Sequence, residues 1–408
     1  MSASRIGNDA SFVVGRGRSA AAWRALAIAT CLMSAQCVPG LAAEEEPAPP
    51  AATGSESKIR SDEDGWLDLS EFLDESYGFV PLLIPITEPA VGYGAAGALV
   101  FLDRPTGEAP AGLSRPNITA AGGFGTQNGT WGLLAGDVRQ WHDNRLQTVV
   151  GAIYSSVNLD FYGVGEDAAL KDDPLSYNLE PTGGAARARY RLGDSHLWAG
   201  LTAVFITTDV TLEESTASPE LLDFTGQSDV GGLVPSLTWD SRDNILTPTR
   251  GTYCEGSVGL FAPAFGSDDA FQRVGLTLLH YRPLHPSVTL GVRGGATLSF
   301  GDTPFYLFPF ITLRGAPVLR YQGEQVVETE IELRWQFWKR FSLIGFVGGG
   351  ATWSEFEGAD SNKTVLTGGT GFRYELARKY GLHAGLDVGF GPDVTALYVQ
   401  FGSAWARP

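Results

Sequence analysis

From Val80 to the end of the chain, the sequence repeats one pattern, in which apolar and polar residues alternate along short segments bounded by turn residues. The clearest segment runs from Val327 to Phe337, where apolar or aromatic residues at every second position are separated by Glu328, Glu330, Glu332, Arg334 and Gln336. Successive side chains of a β-strand point to opposite faces, so this strand has one apolar and one ionic face. A soluble sheet would cover the apolar face with a second sheet, whereas a membrane barrel would turn it to lipid and line a wet lumen with the charges.

The number and length of such segments distinguish these two folds. Counting back from the C-terminus, the pattern predicts strands at 394–405, 381–391, 363–376, 340–354, 326–337, 286–301, 270–282, 250–263, 229–239, 195–211, 176–192, 145–157, 130–141, 117–126 and 90–102. Several reach the roughly ten residues that a tilted membrane-spanning strand needs. Because bacterial barrels have an even number of strands, we expect a sixteenth within Val80 to Ile86.

The connections between these segments alternate in length. Short ones lie at 193–194, 283–286, 338–340 and 377–380, and most of those between them are longer, at 158–175, 212–228, 302–325 and 355–362. Short turns at one rim and long loops at the other are typical of an outer-membrane barrel. We therefore predict an all-β fold, a transmembrane antiparallel β-barrel of sixteen strands over residues 78–408.

The N-terminal residues have the features of an export signal. Four arginines precede an apolar stretch from Ala25 to Met33, and the small-residue run Gly40-Leu41-Ala42-Ala43 follows. This predicts a signal peptide over 1–43, since the apolar stretch is too short for a membrane helix. Export together with the predicted barrel favours the bacterial outer membrane as the location. Residues 44–77 are predicted to form a periplasmic linker and a short amphipathic helix with Trp66, Leu69, Phe72 and Leu73 on one face.

Composition and motifs exclude several function classes. The 46 acidic and 29 basic residues give a net charge of −17, so the chain lacks the basic footprint of a nucleic-acid binder.

The segment Gly92-Tyr93-Gly94-Ala95-Ala96-Gly97 fits a dinucleotide fingerprint, but a strand follows it where that site requires a helix. Residues 60–71 fit a calcium loop except for Arg60 at its first position, so a turn leading into a surface helix is favoured over calcium. We predict no catalytic residue, metal or cofactor, and hence no enzyme.

Three segments together resemble the BamA/TamA-like outer-membrane assembly barrels, the bacterial surface antigen family. Leu237-Thr238-Trp239-Asp240-Ser241-Arg242-Asp243-Asn244, followed by Pro248 and Gly251, resembles a hairpin of that family. Leu313-Arg314-Gly315 resembles its loop motif, and Glu330-Ile331-Glu332-Leu333-Arg334 resembles the acidic strand after that loop. The resemblance extends over residues 78–405.

The resemblance implies specific roles for these residues. Arg314 and Gly315 would form a latch with Glu332, the favoured partner, or Glu330; the alternative is a solvated loop arginine. The hairpin motif would consist of Asp240, Arg242, Asp243, Pro248 and Gly251. The last strand would be the insertion signal, with Phe401 and Trp405 in an aromatic girdle.

The resemblance also implies a function and its partners. The expected function is protein or lipid insertion or translocation at the outer membrane, and a passive pore for small solutes is the alternative. Expected partners are outer-membrane lipids including lipopolysaccharide, the outer-membrane insertion machinery during biogenesis, and an unidentified client or POTRA-bearing protein. Two departures favour a POTRA-less branch with a modified role: residues 44–78 leave no room for a POTRA domain, and Gly348 replaces a family acid.

Overall fold

The computed structural model describes residues 60–61, 63–71, 78–103, 117–162, 174–212, 226–354 and 361–405. The expected signal peptide and most of the expected linker lie outside these residues, so both stay predictions. No helix within the described ranges is long and apolar enough to cross a bilayer.

Sixteen strands form a single antiparallel sheet in which each strand pairs with its neighbours in sequence. They are β1 (Gly78–Glu88), β2 (Gly92–Asp103), β3 (Asn117–Thr126), β4 (Trp131–Trp141), β5 (Leu146–Phe161), β6 (Leu175–Arg191), β7 (Leu197–Leu212), β8 (Gly226–Asp240), β9 (Gly251–Phe261), β10 (Phe271–His285), β11 (Val288–Gly301), β12 (Gln325–Trp338), β13 (Phe341–Ser354), β14 (Ser361–Ala377), β15 (Leu382–Phe390) and β16 (Thr395–Phe401). Three-residue 3₁₀ turns occur at Pro263–Phe265, Phe305–Leu307 and Arg378–Tyr380. The predicted sixteen-stranded barrel is confirmed, although β16 ends earlier than predicted.

The alternation in the sequence becomes an inside and an outside of the barrel. Along β12, Val327, Ile331 and Leu333 are exposed on the outer face, whereas Glu328, Glu330 and Glu332 are buried on the inner face. The ladders keep continuous register over this wall, with Glu330 opposite Arg293 on β11 and Gly348 on β13. A one-residue slip would exchange the two faces, so the pattern fixes the register.

The barrel has two different rims. The terminal rim carries the start of β1, the end of β16 and the turns at 142–145, 192–196, 241–250, 286–287, 339–340 and 378–381. The loop rim carries the connections at 162–174, 213–225, 262–270, 302–324 and 355–360, together with short turns at 89–91, 127–130 and 391–394. The predicted segregation of loop lengths holds for most connections, with residues 104–116 an exception at the terminal rim.

A seam interrupts the barrel between its first and last strands. Every other neighbouring pair forms a ladder, but within the described residues no hydrogen-bonded pairing joins β1 to β16. The barrel is therefore nearly closed, with two strand edges facing each other across the seam.

The segment before β1 lies against the terminal rim in a non-helical conformation over most of its described length. Trp66 makes edge-to-face contacts with Trp338 and Phe341, and the Leu69 N–H donates to the Leu376 carbonyl at 2.8 Å. Only Ser70 and Glu71 are helical, and 72–77 lie outside the described residues. The predicted amphipathic helix is not confirmed, since Trp66 and Leu69 are held by contacts with β12–β14 rather than by a helical repeat.

Candidate functional site: the lumen loop and the seam

The connection between β11 and β12, residues 302–324, turns into the barrel and is called the lumen loop below. Ile311 and Leu313 at its centre are almost completely buried. The inner face of β13 has glycines at the positions that they contact, because a Cβ on Gly348 would lie 3.0 Å from Leu313 and one on Gly350 would lie 3.0 Å from Ile311. The glycines that interrupt the apolar pattern of β13 thus provide the space that the lumen loop fills.

Arg314 is a buried residue of the lumen loop and contacts three carboxylates. Its Nε and Nη2 donate to Glu330 Oε1 at 3.0 and 2.5 Å, and its Nη1 donates to Asp387 Oδ2 at 2.7 Å. Nη2 also lies 2.7 Å from Glu332 Oε2 as an ion pair without hydrogen-bond geometry. The sequence favoured Glu332 as the partner, whereas in the structure the hydrogen bonds go to Glu330 and Asp387.

Two aromatic rings and a second arginine complete this cluster. The guanidinium of Arg314 lies 3.7 Å from the centroid of the Phe346 ring, and Trp405 donates its indole N–H to Glu330 Oε1 at 2.7 Å. Arg373 on β14 donates to both oxygens of Asp387 at 2.5 and 2.7 Å. Two cations and three anions are therefore buried together, and the removal of one member would leave an uncompensated charge.

Asp387 is the partner that sequence reasoning missed. The residue at the expected position of a second acid is Gly348, and its space is filled by Leu313. The acid lies instead on β15, opposite Gly371, where any Cβ would collide with the Asp387 carboxylate. An acidic residue on the inner face of a strand, opposite a glycine, was the available signal.

Gly315 is required by the backbone of the lumen loop. Its φ of +92° is in the region that favours glycine, and a Cβ there would lie 2.8 Å from the backbone of Phe390. Its N–H donates to the Tyr398 hydroxyl on β16 at 2.9 Å. Gly315 therefore permits close contact between the loop and β15–β16.

The lumen loop contacts both sides of the seam. On the β1 side, the Val318 N–H donates to Glu88 Oε1 at 3.0 Å. On the β16 side, the loop contacts Tyr398 and the preceding turn, where Arg320 Nε donates to Asp393 at 3.0 Å. It thus connects two strand edges that no ladder joins.

The hairpin motif forms a compact turn at the terminal rim. Arg242 donates two hydrogen bonds of 2.8 Å to Asp240 and lies over the Tyr253 ring, while Asp243 accepts the N–H groups of residues 249 and 250. Gly251 has a φ of +104°, and the Pro248 carbonyl accepts a hydrogen bond from Arg334 at 3.0 Å. The five motif residues therefore build one turn, and none of them contacts Arg314.

The C-terminal residues turn into the barrel. Phe401 is the last residue of β16, and Trp405 is buried against Tyr281 and bonded to Glu330. This differs from the girdle position expected for Trp405, because the chain leaves the strand period at Gly402, whose φ is +77°. Whether Phe401 and Trp405 act as an insertion signal stays a prediction.

The described residues contain no group of three or more His, Cys, Asp or Glu side chains that could hold a metal ion. Asp64 and Asp68, two acids of the considered calcium loop, instead accept hydrogen bonds from Arg340.

Comparisons with known proteins agree with the predicted resemblance. Residues 140–312 match the family model of the Omp85 superfamily domain, and no curated protein matches the chain. The fold is similar to a structure of BamA from Haemophilus ducreyi lacking POTRA domains 1–3, with a TM-score of 0.53 and 14% identity over 84% of this chain and 79% of that one. It is also similar to CdiB from Escherichia coli, with a TM-score of 0.54 and 12% identity over 79% of this chain and 61% of that one. The resemblance to the BamA-like barrels is therefore confirmed for the fold.

Proposed function

We propose that this outer-membrane barrel, which carries an Omp85 superfamily domain, inserts or translocates proteins or lipids at the outer membrane. The observation that carries the proposal is the seam between β1 and β16. An unpaired strand edge is a template for the backbone of another chain, and strand addition is a general mode of peptide recognition. A client strand is therefore the partner that the seam would accept.

Two prolines keep the β1 edge incompletely bonded. Pro81 and Pro85 lie in β1 and pair with Leu99 and Ala95 of β2. A proline is tolerated in a paired strand where its nitrogen faces away from the partner, so both nitrogens face the seam. The edge thus lacks two donors, which weakens pairing with β16 and leaves β1 accessible to other strands.

The lumen loop argues against the alternative of a passive pore. It places buried apolar residues and the Arg314 cluster across the lumen, whereas a porin keeps an aqueous channel. Its hydrogen bonds to Glu88 and Tyr398 also hold the two edges of the seam together. These bonds can break without disrupting the hydrogen-bonded pairing between any two strands.

The proposal is tested by the folding of a client in liposomes. An unfolded outer-membrane barrel is diluted from urea into liposomes with or without this protein, and its folded fraction is measured by heat-modifiable gel migration. We expect several-fold faster folding with the wild-type protein. The double variant Pro81→Thr/Pro85→Thr, which restores two donors at the seam, should lose most of this acceleration because β1 can then pair with β16.

A lipid client and a pore give different results. Accelerated exchange of a fluorescent phospholipid between leaflets, lost in the same double variant, would identify lipid as the client. A large steady conductance in planar bilayers, without either activity, would contradict the proposal and support the pore.

A further inference from the structure

A cavity of about 390 Å³ lies inside the barrel, between the lumen loop and the inner wall of β8–β12. The wall is formed by small residues, Ser257, Gly259, Gly275, Gly295 and Thr297, and the loop contributes the aromatic rings of Tyr306, Phe308 and Phe310. Its size falls within the range of ordinary ligand pockets, about 300–1,000 Å³. The cavity is separate from the Arg314 cluster, whose acids do not line it.

Two arginines line this cavity, and their charges are compensated differently. Arg293 is paired with Glu328, which also accepts the Thr312 N–H at 2.7 Å. Arg273 donates to the Ser299 hydroxyl at 3.4 Å and to the Leu307 carbonyl, both of which are neutral. Within the described residues, no carboxylate lies within ion-pairing distance of Arg273. The cavity therefore carries one uncompensated positive charge.

The surroundings of Arg273 determine what ligand would be favourable. A cation away from bulk water is costly unless an anion pairs with it, and a guanidinium offers a planar pair of donors that fits a carboxylate. One uncompensated charge matches a carboxylate better than a phosphate monoester, which carries about −1.5 to −2 at pH 7. Phe261 and Val326 supply apolar surface beside the charge.

From these features we infer that the cavity is a binding site for a medium-chain aliphatic carboxylate. Its head group pairs with Arg273, and its chain lies against the aromatic side chains of the lumen loop. This site is independent of the seam, so a negative result in the binding experiment would not contradict the proposed function.

The test uses octanoate as the probe and the full-length barrel in lipid nanodiscs, with the heat of mixing into empty nanodiscs subtracted. Isothermal titration should detect octanoate binding to the wild-type protein and at least tenfold weaker binding of octanol, which has no charge. Arg273→Gln should weaken octanoate binding at least tenfold, and Arg273→Lys should weaken it less because the charge is retained.

Two further variants keep the test decisive. Gly275→Leu leaves Arg273 in place but fills the cavity, so octanoate binding should be lost even if Arg273→Gln does not fold. Arg191→Gln removes an arginine on the inner face of β6 outside the cavity and should leave binding unchanged. Absence of octanoate binding to the wild type, equal binding of octanol, or unchanged binding by Gly275→Leu would overturn the inference.

Discussion

At the scale of single residues, Arg314 joins elements that are far apart in sequence. Its guanidinium connects the lumen loop to Glu330 on β12, to Asp387 on β15 and to the Phe346 ring on β13. Because these groups are buried, the pairing is not weakened by water as an exposed ion pair would be. This side chain therefore contributes strongly to the position of the lumen loop.

We predict that Arg314→Ala lowers the free energy of unfolding by about 3–5 kcal/mol, because it leaves buried carboxylates without a cation. The measurement is the temperature at which the heat-modifiable gel band shifts in detergent. The double variant Arg314→Ala/Glu330→Ala should be little worse than the worse single variant, since the two residues share one network. If the stability losses of the two single variants add up in the double variant, the pairing of Arg314 with Glu330 is contradicted.

The control for this variant is an arginine on the outer face of the barrel. Arg139 pairs with Asp137 and Asp103, and all three side chains are partly exposed. We expect Arg139→Ala to cost only about 0–1 kcal/mol. An equal loss of unfolding free energy in Arg314→Ala and Arg139→Ala would mean that burial does not explain the stabilisation by Arg314.

Gly315→Ala tests the backbone of the lumen loop. The added Cβ would collide with the Phe390 backbone and would strain a positive φ, so we expect lower thermal stability and faster proteolysis of the loop. Gly256→Ala is the matched control, because its Cβ would meet nothing within 4 Å. Similar behaviour of the two variants would show that the close approach at Gly315 does not matter.

At the scale of elements, the segment of residues 63–71 is held to the terminal rim by charges. Arg340 donates to Asp64 at 2.8 and 3.0 Å and to Asp68 at 2.9 Å. The hydrogen bond from Arg340, with help from Arg378 and against a burial effect that opposes it, lowers the pKa of the Asp64 carboxyl from 3.8 to about 2. The segment thus remains paired in acid where a free aspartate would be protonated.

The direction of the pKa shift predicts how docking depends on pH. A lowered pKa in the folded state contributes stability that is complete above pH 3.8 and is lost as the pH falls through about 2. We expect Trp66 fluorescence to stay constant from pH 7 to pH 4 and to change near pH 2. Asp64→Asn should alter the fluorescence at neutral pH, and release of the segment already near pH 5 would contradict the prediction.

The C-terminal segment is a second element with a testable role. Deletion of residues 401–408 removes Phe401 and the contacts of Trp405 with Tyr281 and Glu330. We expect this truncation to prevent membrane integration, measured by the loss of heat-modifiable migration. Cys254→Ser, a half-buried residue within β9, should integrate normally. Normal migration of the truncated protein would refute the insertion signal.

At the scale of the whole molecule, the lumen loop places buried apolar residues and Arg314 inside the barrel. Replacement of residues 303–323 by a short Gly/Ser linker removes both the apolar filling and Arg314 from the lumen. We expect planar bilayers to show a much larger and steadier conductance than with the wild type. Equal conductance would mean that the loop does not obstruct the channel.

The period-two pattern of the sequence by itself determined fifteen of the strands and their faces, and the even number of strands in bacterial barrels added the sixteenth. The inner and outer faces of each strand can be identified from about ten residues, because successive side chains point to opposite faces. A membrane barrel needs apolar groups on the outer face and polar groups on the inner face. For the same reason, the inward carboxylates Glu328, Glu330 and Glu332 were visible in the sequence. A family motif located Arg314, but no sequence pattern pairs it with Asp387, which lies 73 residues away.

Only the tertiary structure decided which of these elements meet. Closure of the sheet brings β15 and the C-terminus beside β12, which places Asp387 and Trp405 on Arg314 and Glu330. The unpaired seam and the uncompensated charge of Arg273 likewise depend on strands and loops far apart in the chain. Alternation is a property of neighbouring residues, whereas a seam, a cavity or a buried ion cluster exists only once the sheet has closed around its own loop.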